Sequence, residues 1–145
     1  MRFTLRILMV PLLLLLMVGC FSTLAPRSDA DQAGILSTKY LASASNALYN
    51  NGGGSVTMEG FSESAVPVDQ IWVRITLQRW NGSAWVDIKS VRKDAYNTSI
   101  VTASNTETVT RGYLYRVKSE HQVVHKGEQD PNPALVLYSD SKLIN

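Results

Sequence analysis

The sequence predicts an all-β fold, a seven-stranded antiparallel β-sandwich behind an N-terminal hydrophobic signal segment. Three observations predict it. Beyond the first 25 residues the chain is rich in Ser, Thr, Asn, Val and Tyr and poor in helix-favouring runs of Leu, Glu and Lys, a mix that suits strands and turns. Short runs of alternating apolar residues recur between turn signals at the intervals of a sandwich. No stretch of the post-leader chain makes a convincing helix.

The clearest strand is Gln70 to Arg79. Ile71, Val73, Ile75 and Leu77 fall on one side of it, and Trp72, Arg74, Thr76 and Gln78 on the other. That is period-two alternation with one buried face. Asn81-Gly82 follows and tolerates positive φ at both positions, the strongest short hairpin signal. Ala84, Val86 and Ile88 are expected to continue the apolar face on the returning strand.

The other elements are softer. Ser43 to Leu48 alternates loosely and precedes the Gly-rich turn Asn50-Asn51-Gly52-Gly53-Gly54. Val56, Met58, Gly60 and Ser62 make the next inward set. Ile100 to Val109, rich in Thr, Ser and Val, reads as an exposed strand. Tyr113, Tyr115 and Val117 alternate with Leu114, Arg116 and Lys118 in a strand that runs toward Val124. Lys126-Gly127 and Asp130-Pro131-Asn132-Pro133 are turn chemistry. Leu135 to Ile144 is the last strand, with Leu135, Leu137 and Leu143 on one parity.

Seven short strands over about 100 residues are the signature of an immunoglobulin-like or fibronectin-III-like sandwich. In such modules a Tyr near the start of a late strand hydrogen-bonds back to the preceding corner. Tyr113 is the first choice for that role and Tyr115 the second.

The chain opens as an export signal. Arg2 and Arg6 supply a positive start, and Ile7 to Leu24 carries no charge and is mostly Leu, Met and Val. A core helix oily on every side has no place in a small β domain. Met17-Val18-Gly19-Cys20 resembles a lipobox, with Met17 where Leu is usual, which makes Cys20 the lipidation candidate. Cleavage without lipidation near Cys20, Ser22 or Ala30 stays open. So does an uncleaved anchor, because the uncharged run is just long enough to span a bilayer. The expected organisation is a signal peptide over 1–25, a polar tether over 26–40 and the β domain over 41–145. The expected place is extracellular or at the cell surface, with membrane contact only through the leader or a lipid on Cys20.

Composition narrows the function classes. Of the 14 basic residues Arg2 and Arg6 belong to the leader, and the remaining 12 balance the 12 acidic ones. With no dense Lys/Arg cluster, nucleic-acid binding is not expected. Cys20 is the only cysteine, so the domain has neither a disulfide nor a thiolate ligand.

Two stretches carry a resemblance. They are Leu77-Gln78-Arg79-Trp80-Asn81-Gly82-Ser83-Ala84-Trp85 and Tyr113-Leu114-Tyr115-Arg116-Val117-Lys118-Ser119-Glu120-His121. With the leader, they resemble a family of uncharacterised short secreted proteins from Gram-positive Firmicutes. The resemblance implies a secreted β-sandwich and assigns no activity.

Catalysis finds little footing. His121 and His125 on one strand lie roughly 13 Å apart, too far to share an ion. No Ser or Cys sits in a recognisable nucleophile elbow. Glu59, Glu63, Asp87, Asp94 and Glu120 are isolated carboxylates in sequence. The expectation is a non-enzymatic module with no cofactor and no metal.

The aromatic side of the hairpin is the leading functional candidate. Strand parity puts Trp80 and Trp85 on one face whether the loop has two residues or four. Even spacing from Trp80 adds Trp72 to that face. Beside them stand Arg74 and Gln78. Such rings stack sugars or anchor a protein partner; the structural alternative is cross-strand packing that closes the hairpin. The second candidate is a free strand edge at Ile100 to Val109, open to another strand. The expected partner is thus a glycan or another protein.

Overall fold

A computed structural model describes residues 38–145. The leader, Cys20 and the tether up to residue 37 lie outside the described residues. The described chain is all-β and antiparallel, with strands β1 (Leu41–Gly52), β2 (Ser55–Trp80), β3 (Trp85–Thr108), β4 (Tyr113–His125), β5 (Glu128–Tyr138) and β6 (Lys142–Ile144).

The strand count is six rather than seven. The expected strands around Val56–Ser62 and Gln70–Arg79 are one element, β2, of 26 residues. The returning strand after Ala84 and the run Ile100–Val109 are likewise joined in β3, of 24 residues. Ser64 to Pro67 lies between the two expected strands, and the backbone bends there without leaving the extended conformation. The β2–β3 register breaks between Glu63 and Val68. The Ser64 hydroxyl donates to the carbonyl of Val66 at 2.7 Å and reaches that of Ser99 at 3.3 Å, tying the two bending strands together. On the β3 side Asn97 takes a positive φ of 52°, which Asn tolerates better than most residues.

The bend lets one hydrogen-bonded sheet curl on itself. The first half of β2 lies between β1 and the second half of β3; its second half lies between β4 and the first half of β3. β5 and β6 continue the sheet beyond β4. Gly60 shows how closely the halves approach. A Cβ placed there would lie 2.5 Å from Cγ2 of Ile75 and 2.9 Å from Cγ2 of Val73, on the other half of the same strand. Glycine is therefore the side chain the packing requires.

The core fills the curl. Val56 and Met58 from the first half of β2 meet Ile71, Val73, Ile75 and Leu77 from the second, and Leu48, Val101, Val117 and Val123 close around them. Ile71, Val73, Ile75 and Leu77 are all fully buried, as the alternation predicts. Val86 and Ile88 are not: both stay exposed. Asp87 pairs with Gln78 and Lys89 with Leu77, so Ile88 is the unpaired residue of a bulge, and among the described residues β3 is an edge strand with no further strand beyond it.

Three further expectations are corrected. Tyr115, not Tyr113, makes the corner bond: its hydroxyl donates to the carbonyl of Thr110 at 2.8 Å and its ring is buried. The β2–β4 pairing stops at Arg79 opposite Tyr115, so Tyr113 projects past the end of β2 and lies exposed beneath the Arg79 guanidinium. Asp130–Pro133 is not a turn between strands but part of β5. Val123 pairs with Asp130 and His121 with Leu135, so both prolines fall in a segment bulged out of register on a sheet edge, where a missing N–H costs least. The last strand is broken in two at Ser139. Val117 N–H donates to the Ser139 hydroxyl at 2.8 Å and Ser139 N–H donates to the Val117 carbonyl at 2.9 Å, which redirects the chain. Ile144 is then buried and Leu143 exposed.

The two ends of the sheet differ. At one end the chain enters: Tyr40 N–H and Leu41 N–H both donate to Asp130, and Lys39 pairs with Glu128. The β2 bend joins this end through Ala65 N–H to the Tyr40 carbonyl. The β4–β5 turn joins it too, through Lys126 N–H to Asp69. The opposite end carries the turns at Gly53, Gly82 and Gly112, all with positive φ.

Gly60→Ala is expected to destabilise the domain by about 1–3 kcal/mol through overpacking against two stiff β-branched side chains. Urea unfolding should show a lower midpoint at unchanged slope. An unchanged midpoint would mean that the halves of β2 do not face one another so closely.

Candidate functional site

The outer face of the β3–β2–β4 region is built in rungs. Trp72 stands between Asp94 and Gln122, Arg74 between Arg92 and Glu120, Thr76 between Ser90 and Lys118, and Gln78 between Asp87 and Arg116. Trp80 faces Trp85 at the hairpin end. Alternation along β2 thus puts Trp72, Arg74, Gln78 and Trp80 on one face.

Sharing a face does not give them the same access to solvent. Trp72 is only 7% exposed. The Arg92 guanidinium covers its ring at 4.0 Å from the centroid, with Arg74 at 5.8 Å. Arg92 is held in place by Asp94 at 2.8 Å, and Asp94 accepts a further bond from Gln70, also at 2.8 Å. The Arg92 hydrogen bonds hold the Asp94 carboxyl below the ordinary carboxylate range despite some desolvation. Arg74 pairs with Glu120 at 3.1 Å. Gln78 donates to Asp87 at 2.7 Å and accepts from Arg116 at 2.9 Å. Trp72, Arg74 and Gln78 are therefore engaged with neighbours on their own sheet.

Trp80 and Trp85 are different. Their rings lie 5.5 Å apart at 55° and close the hairpin, and both stay partly exposed. The four-residue loop beneath them is organised by Asn81, whose side-chain oxygen accepts the N–H groups of Ser83 and Ala84 at 2.9 and 2.8 Å. The Arg116 guanidinium lies 4.4 Å from the Trp85 ring and 4.2 Å from the Tyr138 ring. A file results: Trp80, Trp85, Arg116, Tyr138, crossing from β2 and β3 over β4 to β5. Arg116 and Tyr138 carry no sequence signal of this kind. Their meeting depends on the register that sets Lys118 opposite Tyr138 and Arg116 opposite Gln78.

The histidines separate. His121 is fully buried, with Nδ1 2.8 Å from the Ser62 hydroxyl and Nε2 2.7 Å from the Ser119 hydroxyl. Asn46 Nδ2 donates to Ser119 at 2.6 Å, so a polar chain crosses the core from β1 through β4 to β2. Desolvation pushes the His121 pKa down to about 4. A neutral imidazole has one donor and one acceptor nitrogen, which two hydroxyls satisfy. Sequence reasoning missed this chain because Ser62, Ser119 and Asn46 stand far apart in sequence. His125 lies instead at the edge of Tyr40, with ring centroids 4.9 Å apart, and 3.6 Å from Asp69. The Ser62–His121 contact joins a hydroxyl to an imidazole, and both residues are fully buried.

The expected free edge is present. Among the described residues β3 pairs only with β2, so Ile100–Thr108 is half of an unpaired edge. Between Thr98 and Thr106 it has no charge, no Pro and no Gly, so charge and proline do not guard this edge.

No family model, curated protein or solved structure matches the chain. Among the described residues no helix is long and apolar enough to cross a membrane, and no three His, Cys, Asp or Glu converge as a metal site.

The buried imidazole makes a pH prediction. Its folded pKa of about 4 lies below the ordinary 6.5, so the unfolded chain takes up this proton first. The stability difference is absent above pH 6.5, grows as pH falls and levels off below 4, at about 3 kcal/mol at most. Comparing pH-dependent urea stability of the protein with that of His121→Gln isolates this contribution from the carboxylates. Parallel curves between pH 6.5 and 4 would show that His121 is not held neutral.

Proposed function

We propose that this chain is an exported, non-enzymatic β module that works by binding at the cell envelope or outside the cell, and that its ligand is a carbohydrate lying along Trp80, Trp85, Arg116 and Tyr138. The observation that carries the reading is the Arg116 guanidinium in cation–π contact with both Trp85 and Tyr138, beside the partly exposed Trp80. Aromatic faces accept the C–H side of a sugar ring, and a guanidinium held between them donates to its hydroxyls.

Export is supported by Arg2 and Arg6 ahead of the uncharged Ile7–Leu24 run, and Cys20 is the residue on which a lipid would anchor the module. The resemblance of Leu77–Trp85 and Tyr113–His121 to short secreted Firmicutes proteins points the same way. We read the curled sheet as a sandwich of the immunoglobulin-like or fibronectin-III-like kind. The facing halves of β2 and the bond from the Tyr115 hydroxyl to the Thr110 carbonyl support that reading.

A second reading is favoured by the uncharged edge of β3, with Ile88, Tyr96 and Ile100 exposed along the strand. Such an edge takes an extended segment of a protein partner by strand addition.

Two measurements check these readings. Tryptophan emission should change on titration with cell-wall or plant polysaccharides. Trp85→Ala should weaken that binding about tenfold, close to 1.4 kcal/mol, while Trp72→Phe leaves it unchanged. No spectral change with any glycan would end the carbohydrate reading. Retention of labelled protein on whole cells separates the two partners. Under the carbohydrate reading Trp85→Ala abolishes retention and the double change Thr102→Lys, Ser104→Lys preserves it. Strand addition reverses that pattern.

A further inference from the structure

We infer that the groove between β1 and the β5–β6 link is a pocket for one neutral saccharide ring, continuous with the file through Tyr138. The inference rests on the carbohydrate reading and adds to it a second location and a ligand class.

Among the described residues β1 pairs along its length only with β2, and its start is tied to β5 by the bond from Leu41 N–H to Asp130. The groove lies further along β1, beside the turn at Ser139. Its volume of about 310 Å³ falls at the small end of the range for small-molecule sites. Asn46, Leu48 and Tyr49 line one side; Tyr138, Asp140 and Lys142 line the other.

Each side chain brings a property that matches a sugar. Tyr49 is 47% exposed, with the Lys142 ammonium 6.0 Å from its ring centroid. An exposed phenol ring offers an apolar face to one side of a pyranose. Asn46 is already oriented by its bond to Ser119, so it loses little freedom when a ligand arrives. Asp140 and Lys142 bring one negative and one positive group to the same side of the groove. Opposite charges side by side favour neither an anion nor a cation, and both can bond hydroxyls. A neutral polyhydroxylated ring with one apolar face fits this set. A fatty chain would gain nothing from the polar side chains of the lining, and a uronic acid would meet the negative charge of Asp140. Tyr138 belongs to both the groove and the file, so successive rings of one oligosaccharide occupy both.

The test uses the full chain in a detergent without sugar headgroups, with cellotetraose and chitotetraose as neutral probes and tetragalacturonate as the anionic one. Amide NMR shifts of Ala47, Tyr49, Ser139 and Lys142 report the groove, and the indole N–H signals of Trp80 and Trp85 report the file. A neutral tetraose should move both sets and tetragalacturonate neither. Tyr49→Ala should weaken tetraose binding about tenfold and leave the matching disaccharide, which the file holds alone, unaffected. Lys142→Ala should act in the same direction. Indole shifts without groove shifts, or tetraose binding by Tyr49→Ala equal to that of the unaltered protein, would overturn the groove and leave the file standing. Groove shifts without indole shifts would overturn continuity with the file. No shift in either set would overturn both. Stronger binding of tetragalacturonate would overturn the preference for a neutral ring.

Discussion

The fold depends on one contact within one strand. β2 is long enough, at 26 residues, to serve two regions of sheet, and it does so only because its halves can lie face to face. Gly60 against Val73 and Ile75 marks where they come closest. A side chain at residue 60 would hold the halves apart by about the width of a methyl group, and the surrounding core would lose contacts on every side. The bend at Ser64–Asp69 supplies the change of direction, but the absence of a Cβ at Gly60 sets the depth of the closure. From that closure follow the burial of Ile71, Ile75 and Leu77 and the sealing of His121.

The polar chain from Asn46 to Ser62 meets a different need. Apolar packing alone leaves strand register open to slippage, since a shift of two residues keeps the same faces buried. A buried imidazole bonded to a hydroxyl on another strand resists such a shift, because it would strand Nδ1 without a partner in a dry interior. Ser62 comes from the first half of β2 and Asn46 from β1, so the Ser62–His121 and Asn46–Ser119 bonds fix β4 against the far half of β2 and against β1. The neutral state of the ring is the condition on which this works, and desolvation enforces it. The hydroxyl oxygens could accept from both nitrogens, so burial, more than any lost bond, resists protonation.

Much of this architecture was legible in the residues. Alternation from Ile71 to Leu77 gives the buried face correctly, because that face lies in the middle of the sheet where every inward position is covered. Gly52–Gly54, Gly82 and Lys126-Gly127 take positive φ at turns, whereas Asn81 does not and shapes a four-residue loop through its side-chain oxygen. The errors share one cause. Period-two alternation says which way a side chain points and nothing about what lies beside or over it. Val86 points as an apolar residue should and meets solvent because β3 is an edge strand, and the bulge takes Ile88 out of that parity. Tyr113 has the parity of Tyr115 but extends past the end of β2. The joining of strands at Ser64–Pro67 was hidden for a related reason: a bend within a strand and a turn between strands use the same small and Pro-containing sequences.

The three tryptophans show the same limit where it bears on function. Trp72 sits mid-strand in β2 with β3 on one side and β4 on the other, and the long side chains of those neighbours reach over it. The Arg92 guanidinium lies over its ring, held there by Asp94. Cation–π contact and ion pairing reinforce each other in such an arrangement, since the carboxylate fixes the guanidinium where the ring attracts it. Trp85 stands on the outermost strand and Trp80 beyond the last β2–β4 pair, so each has a neighbour on one side only. Arg116 covers part of Trp85 and is itself flanked by Tyr138. The outer face thus divides by lateral position: its centre is closed by its own ion pairs, and its margin keeps aromatic surface within reach of a ligand. A module that binds through this face must do so along its margin, toward the turns and away from the end where Asp130 receives the entering chain.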